Sequence, residues 1–255
     1  MILRFRLEPQ LRGWRRPDWS LKMHRIDIPQ DVFDYVVQRR GRRIVNSDID
    51  PRKTAMIAID LQNGFMKEEV AHVVTPAAVE IVPNVNRIAR SLRAAGGLVC
   101  WTRQTVDDDS LQTWSHFHER LNSPQLRDRR ITALREGSPG HALWQDLDVT
   151  HEDVVVNKTR WSAFIQGSSS LEVILRKSGV DTLVITGTWT DVCCESTARD
   201  AVMLNFKTIM VTDATATISD RAHNASLAAF YLTFGDIMST DEVISYIERN
   251  ACSCV

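Results

Sequence analysis

The chain has no run approaching the roughly 18 uninterrupted apolar residues that a bilayer-spanning helix needs, and its opening, MILRFRLEPQLRGWRR, has no continuous apolar stretch of the signal-peptide kind. The expectation is a soluble, cytoplasmic protein. It also lacks an excess of charge of either sign. With 31 Lys and Arg against 32 Asp and Glu, the formal net charge is −1, so no global field recruits nucleic acid or an anionic membrane. Cysteine is scarce and poorly placed for bridges. There are five; Cys193 and Cys194 are adjacent, while Cys252 and Cys254 crowd the end. That odd set is no disulfide framework and fits a reducing compartment. Internal repeats and low-complexity tracts are absent too. What remains is a globular composition, 44% hydrophobic and 25% charged over 255 residues, enough for one large domain or two small ones with a real core.

The Arg-rich start resembles a transit peptide in charge, but Glu8 and Asp18 interrupt it. Met23 is an alternative start, with residues 1–22 a tail. Residues 24–50 read as an arm whose Phe33, Tyr35, Val36 and Val37 pack on a neighbouring surface. After Pro51 short runs rich in Val, Ile and Thr alternate with segments of helical period, the pattern of βαβ units. Strands are predicted over 54–60, 98–103, 153–157, 182–186, 207–212 and 236–238, and helices over 78–95, 168–177, 193–205, 220–234 and 241–249. Near-continuous apolar runs mean strands buried on both faces. The fold class is therefore α/β: a doubly wound three-layer sandwich around a mostly parallel six-stranded sheet. The irregular stretch 105–150 reads as an insertion with one short helix bordering the site. Residues 1–50 are then an arm, 51–250 one domain and 251–255 a tail.

In open parallel sheets the site forms at the carboxyl ends of the strands. Asp60 closes the first strand, Lys158 follows the third, and Cys193 lies just beyond the fourth at the start of a helix. Singly, each has an ordinary explanation: a turn residue, a solvated cation, a small buried hydrophobe. Together they are a base, a cation and a nucleophile converging on one crevice. Only a thiolate attacks, and free cysteine titrates near a pKa of about 8.5, so a helix N-terminus and a nearby lysine are expected to favour the charged form. Residues 189–192 make a tight strand-to-helix turn whose backbone N–H groups are candidates to face an oxyanion.

Three segments, AMIAIDLQNGF (55–65), VVNKTRWSAF (155–164) and ITGTWTDVCCESTARDA (185–201), resemble the signature blocks of the isochorismatase-like cysteine hydrolases, in family order and across about residues 52–249. The resemblance implies a catalytic triad of Asp60, Lys158 and Cys193. It also implies a non-proline cis peptide between Thr188 and Trp189, and an oxyanion hole from the N–H groups of Trp189 and Cys193. Cys194 stands where the family usually has an aliphatic residue and reads as packing.

Nicotinamidases of that family carry a metal-binding Asp and histidines beyond the second strand. Here Asp107, Asp108 and Asp109 are followed by His116 and His118, whose i, i+2 spacing does not share a helix face. No metal and no cofactor are expected, though residues 107–118 leave the metal question open. The blocks look closer to the ureido and carbamoyl amidase branch. The expected reaction is C–N hydrolysis of a small amide, ureido or carbamoyl compound through a thioester. Two alternatives stay open: vinyl ether hydrolysis of the isochorismatase type, and a catalytically silent binding module. Position marks Asn63, Phe65, Gln104, Arg160, Trp161 and Phe164 as substrate-pocket residues, with Arg160 a candidate for a substrate carboxylate. Arg160 and Arg199 have the alternative of pairing with Asp191 or Asp200. His223 reads as structural. The partner is a small molecule, neither nucleic acid nor membrane, and a homodimer or homotetramer is expected by resemblance.

Overall fold

Six short strands, β1 Thr54–Ile59, β2 Leu98–Gln104, β3 Val154–Lys158, β4 Thr182–Thr188, β5 Lys207–Ala216 and β6 Asp236–Met238, form one sheet in the order β3-β2-β1-β4-β5-β6. The computed structural model describes residues 23–252; residues 1–22 and Cys254 lie outside that range. Every pairing is parallel, a step beyond the mostly parallel sheet expected. The central strands β1 and β4 are buried at every position, which is why they read as unbroken apolar runs. The order reverses direction between β1 and β4, the switch point where doubly wound sheets open a crevice.

Alternation along the strands divides the core. Met56, Ala58, Val184 and Ile209 face one layer, made of α3 Pro76–Glu80, α4 Val82–Ala94 and α11 Thr240–Cys252. Ala55, Ile57, Ile185 and Met210 face the other, made of α1 Gln30–Arg40, α8 Leu171–Lys177, α9 Glu195–Met203 and α10 Asp220–Thr233. The single helix expected over 78–95 is two, broken at Ile81, because Pro83 lacks the N–H that would continue the ladder. Gly96, at a φ of 80°, ends α4 as expected. The segment 105–150 contains three helices instead of one: α5 Asp108–Thr113, α6 Ser115–Arg120 and α7 Pro124–Leu134. A one-turn helix, α2 Asn63–Met66, follows β1.

The stretch 24–50 lies along α10. Val36 is fully buried, the Phe33 and Tyr231 rings are 5.6 Å apart, and Arg40 reaches Asp236 at 3.1 Å. Tyr35 and Val37 are exposed; they lie on the outward face of α1, so half of the expected apolar set does not pack. His24 stacks on His223 at 4.4 Å and holds Asp220 at 2.8 Å. No helix among the described residues is long and apolar enough to cross a membrane.

Burial holds two histidines neutral. His223 and His72 are pushed down to about 3, in both cases by loss of solvation, with His24 and Arg130 respectively adding like-charge repulsion. An unfolded histidine titrates near 6.5, so below that pH the unfolded chain takes up protons that the folded chain refuses. Stability is therefore full above pH 6.5 and declines as pH falls towards 3, by about 2 kcal/mol per histidine at pH 5. Urea midpoints at pH 7.5 and pH 5.0 test this; equal midpoints contradict it.

Candidate active site

Asp60 leaves β1 in a left-handed conformation, φ 54°, with its N–H bonded to Thr102 O at 3.2 Å. The neighbouring strand makes room through Gly187, where an added Cβ would stand 2.1 Å from Ile59 O. Lys158, the last residue of β3, pairs in register with Gln104 of β2. Its stem therefore crosses the end of β2 to reach the end of β1. There Nζ lies 2.7 Å from Asp60 Oδ2, 2.8 Å from Gln104 Oε1 and 2.9 Å from Arg160 O. Gln104 and Arg160 accept hydrogen bonds from the ammonium group, while Asp60 Oδ2, which accepts none, is its ion-pair partner. Thr102 Oγ1 donates to Asp60 Oδ1 at 3.0 Å, so one carboxylate oxygen is positioned by Thr102 and the other by Lys158. Both ion-pair side chains are 0% exposed.

Cys193 lies in a π-helical turn, Thr190–Cys194, that precedes α9. Its thiol is buried beside the Asp60 carboxylate. Burial first, and then the neighbouring Asp60 carboxylate, push the thiol up to about 12, against the opposing pull of Lys158 and Arg130. This overturns the expectation of a thiolate favoured by a helix N-terminus. Loss of solvation outweighs the nearby cations, and the resting group is a thiol. Cys194 is buried and pushed well above its usual range, with Sγ 3.8 Å from Thr186 O. Cys100 is likewise raised, to about 12 by burial, and lies in the sheet core.

The Thr188–Trp189 peptide is cis. Trp189 O accepts from Val192 N at 3.1 Å and Cys194 N at 3.0 Å, so neither of those N–H groups is available to an oxyanion. Beside Cys193 lies a cavity of about 280 Å³, near the small end of ligand pockets. Phe65, Phe117, Trp161 and Trp189 wall it, with Val73, Leu126 and Val192 between them; the polar groups are His72, Asn122, Arg130 and Cys193.

Trp189 and Cys193 line this cavity, and so do Phe65 and Trp161 of the six substrate-pocket residues marked from sequence. The other four do not. Asn63 donates to Pro139 O at 3.0 Å. Gln104 is spent on Lys158. Phe164 stacks on Phe206 at 5.8 Å. Arg160 bonds Thr113 Oγ1 at 2.7 Å and stacks over Trp114 at 5.3 Å, borders a separate surface groove, and pairs with neither Asp191 nor Asp200. Arg199 pairs with Glu195, and Asp191 accepts from Thr217 Oγ1 at 2.5 Å. His223 braces the nucleophile turn, with Nδ1 2.8 Å from Thr190 Oγ1 and Nε2 3.0 Å from Thr212 O.

Sequence reasoning missed Thr102, Gln62, His72, Phe117 and Arg130. Gln62 clasps the end of β2, accepting from Gln104 N at 2.7 Å and donating to Gln104 O at 3.2 Å. A signal for Arg130 was present: with Leu126, Ala133 and Leu134 it falls on the inward stripe of α7, at i, i+4, i+7 and i+8. The acids of 107–109 go elsewhere, Asp107 capping α5 and Asp108 pairing with Arg135 at 2.7 Å. His118 is buried against Trp114 and lowered to about 4 by burial. Among the described residues no three His, Cys, Asp or Glu side chains cluster as metal ligands.

A family model described as an isochorismatase domain matches residues 54–242. Ureidoacrylate amidohydrolase RutB of Klebsiella pneumoniae is 30% identical over 176 residues, which span 65% of this chain and 74% of that protein. A probable inactive nicotinamidase of Arabidopsis thaliana is 34% identical over 178 residues, 69% of this chain and 87% of that one. A crystal structure of a cysteine hydrolase from Pseudomonas syringae pv. phaseolicola is similar with a TM-score of 0.69 at 26% identity, covering 82% of this chain and 99% of that chain.

Proposed function

Because the chain belongs to the isochorismatase family of hydrolases, we propose that it cleaves a C–N bond of a small amide, ureido or carbamoyl compound through a thioester on Cys193. The observation that carries this reading is the Asp60–Lys158 ion pair, fully buried beside a Cys193 thiol that opens on one apolar cavity. Similarity to a ureidoacrylate amidohydrolase supports the choice of bond.

In this mechanism Asp60 takes the Sγ proton while the thiolate adds to the carbonyl carbon. Lys158 pairs with Asp60 and holds it in place before the transfer. Negative charge gathers on the carbonyl oxygen, for which this reading assigns the N–H groups of Trp189 and Cys193 as donors. Collapse breaks the C–N bond, and the proton on Asp60 passes to the departing nitrogen, which leaves as ammonia or an amine. Water then gives a proton to Asp60 and adds to the thioester. The C–S bond breaks and the proton returns to Sγ, which leaves a carboxylic or carbamic acid. A thiol with a raised pKa suits this cycle, since the proton is released only when base and substrate carbonyl are both in place. The aromatic walls exclude bulk water from the acylation step.

Ammonia release measured across ureidoacrylate, N-carbamoyl amino acids, biuret, nicotinamide and short aliphatic amides tests the reading, together with intact-mass detection of an acyl adduct. The expected result is turnover of at least one ureido or carbamoyl compound and an adduct that maps to Cys193. The relative described as inactive supports the alternative of a silent binding module; absence of both turnover and adduct across the panel selects that alternative.

A further inference from the structure

Resting on that reading of the site, we propose that Arg130 binds a carboxylate of the substrate, so that the molecule cleaved is an anionic ureido or carbamoyl acid and not a neutral amide. Arg130 is 8% exposed and borders the same cavity as Cys193. Its guanidinium has one hydrogen-bonding contact, from Nη1 to His72 Nε2 at 3.4 Å, and lies over the Phe117 ring at 5.1 Å. Nε is buried with no acceptor. No ion pair among the described residues includes this arginine.

His72 does not neutralise it. The His72 Nδ1 sits 2.9 Å from Gly64 O and must carry the proton there, which leaves Nε2 as a neutral acceptor for the guanidinium. Asp60, whose charge reaches Arg130, is already held by Lys158 and Thr102. A buried cation without a counter-ion is costly, and such groups are ordinarily paired. The missing anion therefore belongs to the ligand. Nε with one Nη forms the planar fork that grips a carboxylate through two hydrogen bonds. The charge of Arg130 is felt at the Cys193 sulfur, so a ligand whose carboxylate meets Arg130 has its other end beside the nucleophile. The rest of the lining is mainly apolar and offers no second site for a negative charge.

Binding separates this inference from the reaction it rests on. The Cys193→Ala protein, which holds ligand without turnover, is titrated calorimetrically with N-carbamoylglycine and N-carbamoyl-β-alanine, each beside its methyl ester. The acids are expected to bind at least about tenfold more tightly than the esters, the scale of a charge-assisted pair. Adding Arg130→Met should erase the preference, and Arg130→Lys should keep part of it. Without ligand, Arg130→Met should raise the thermal midpoint, because it removes an uncompensated buried charge. Esters that bind as tightly as acids, a preference that survives Arg130→Met, or no binding by any of the four at about 10 mM each overturn the proposal. Wild-type turnover of neutral amides without this acid preference would leave the hydrolase reading standing and remove only the role of Arg130. Arginine-dependent acid binding without any turnover would do the reverse.

Discussion

Cys193→Ala is expected to lower kcat by at least about four orders of magnitude, the scale on which removing the nucleophile acts in triad hydrolases. No other group can form the thioester from the same position. Cys194 is adjacent in sequence, but its Sγ lies against Thr186 O inside the core and the residue is fully buried. Cys194→Ala should retain activity within about tenfold, and should cost about 1 kcal/mol of stability through a small packing defect. Steady-state kinetics and urea midpoints for both variants separate chemistry from packing. Equal loss of activity in the two would remove Cys193 from its role, and a fully active Cys193→Ala would point to thiol-independent chemistry such as vinyl ether hydrolysis.

The second large effect is expected at Lys158. Lys158→Met keeps much of the side-chain volume but leaves Asp60 0% exposed and without its ion-pair partner. Breaking a buried pair from one side is destabilising by about 3–5 kcal/mol, since the remaining charge has neither water nor counter-ion. Gln104 Oε1 and Arg160 O also lose their donor. Activity should fall with stability, because an Asp60 that takes up a proton to relieve the burial cannot accept one from Cys193. Adding Asp60→Asn should restore most of the stability and none of the activity. That asymmetry is what a double-mutant cycle reads. A Lys158→Met midpoint equal to that of the wild type would show that the pair is not electrostatically coupled in the folded protein.

Much of the fold could be read along the chain because its strands are buried on both sides. Such strands must be short, apolar and bounded by turns, and the runs TAMIAI and TLVITGT meet that demand wherever they are placed. The break at Ile81 was hidden because the apolar stripe continues in phase across it, and only the missing N–H of Pro83 interrupts the ladder. The segment 105–150 was opaque for a different reason. Its helices cover the mouth of a cavity and not a sheet, so they carry no long apolar stripe, and α7 has an arginine where a core helix has an aliphatic residue.

The sequence by itself determined which groups are at hand. Asp60, Lys158 and Cys193 fall at strand ends, and in a parallel sheet those ends share one edge whatever the details of packing. Only the tertiary structure decided the state of the thiol and the company these groups keep. A thiol beside a lysine at the start of a helix looks activated when read locally, yet burial among the layers raises it to about 12 and makes it a protonated partner of Asp60. Along the chain Arg160 was marked for a substrate carboxylate and Arg130 was not. Packing turned Arg160 onto Trp114 and the Thr113 hydroxyl, and left Arg130 buried in the cavity without a counter-ion. Desolvation depends on every atom around a group, most of them distant in sequence, and no local pattern of residues encodes it.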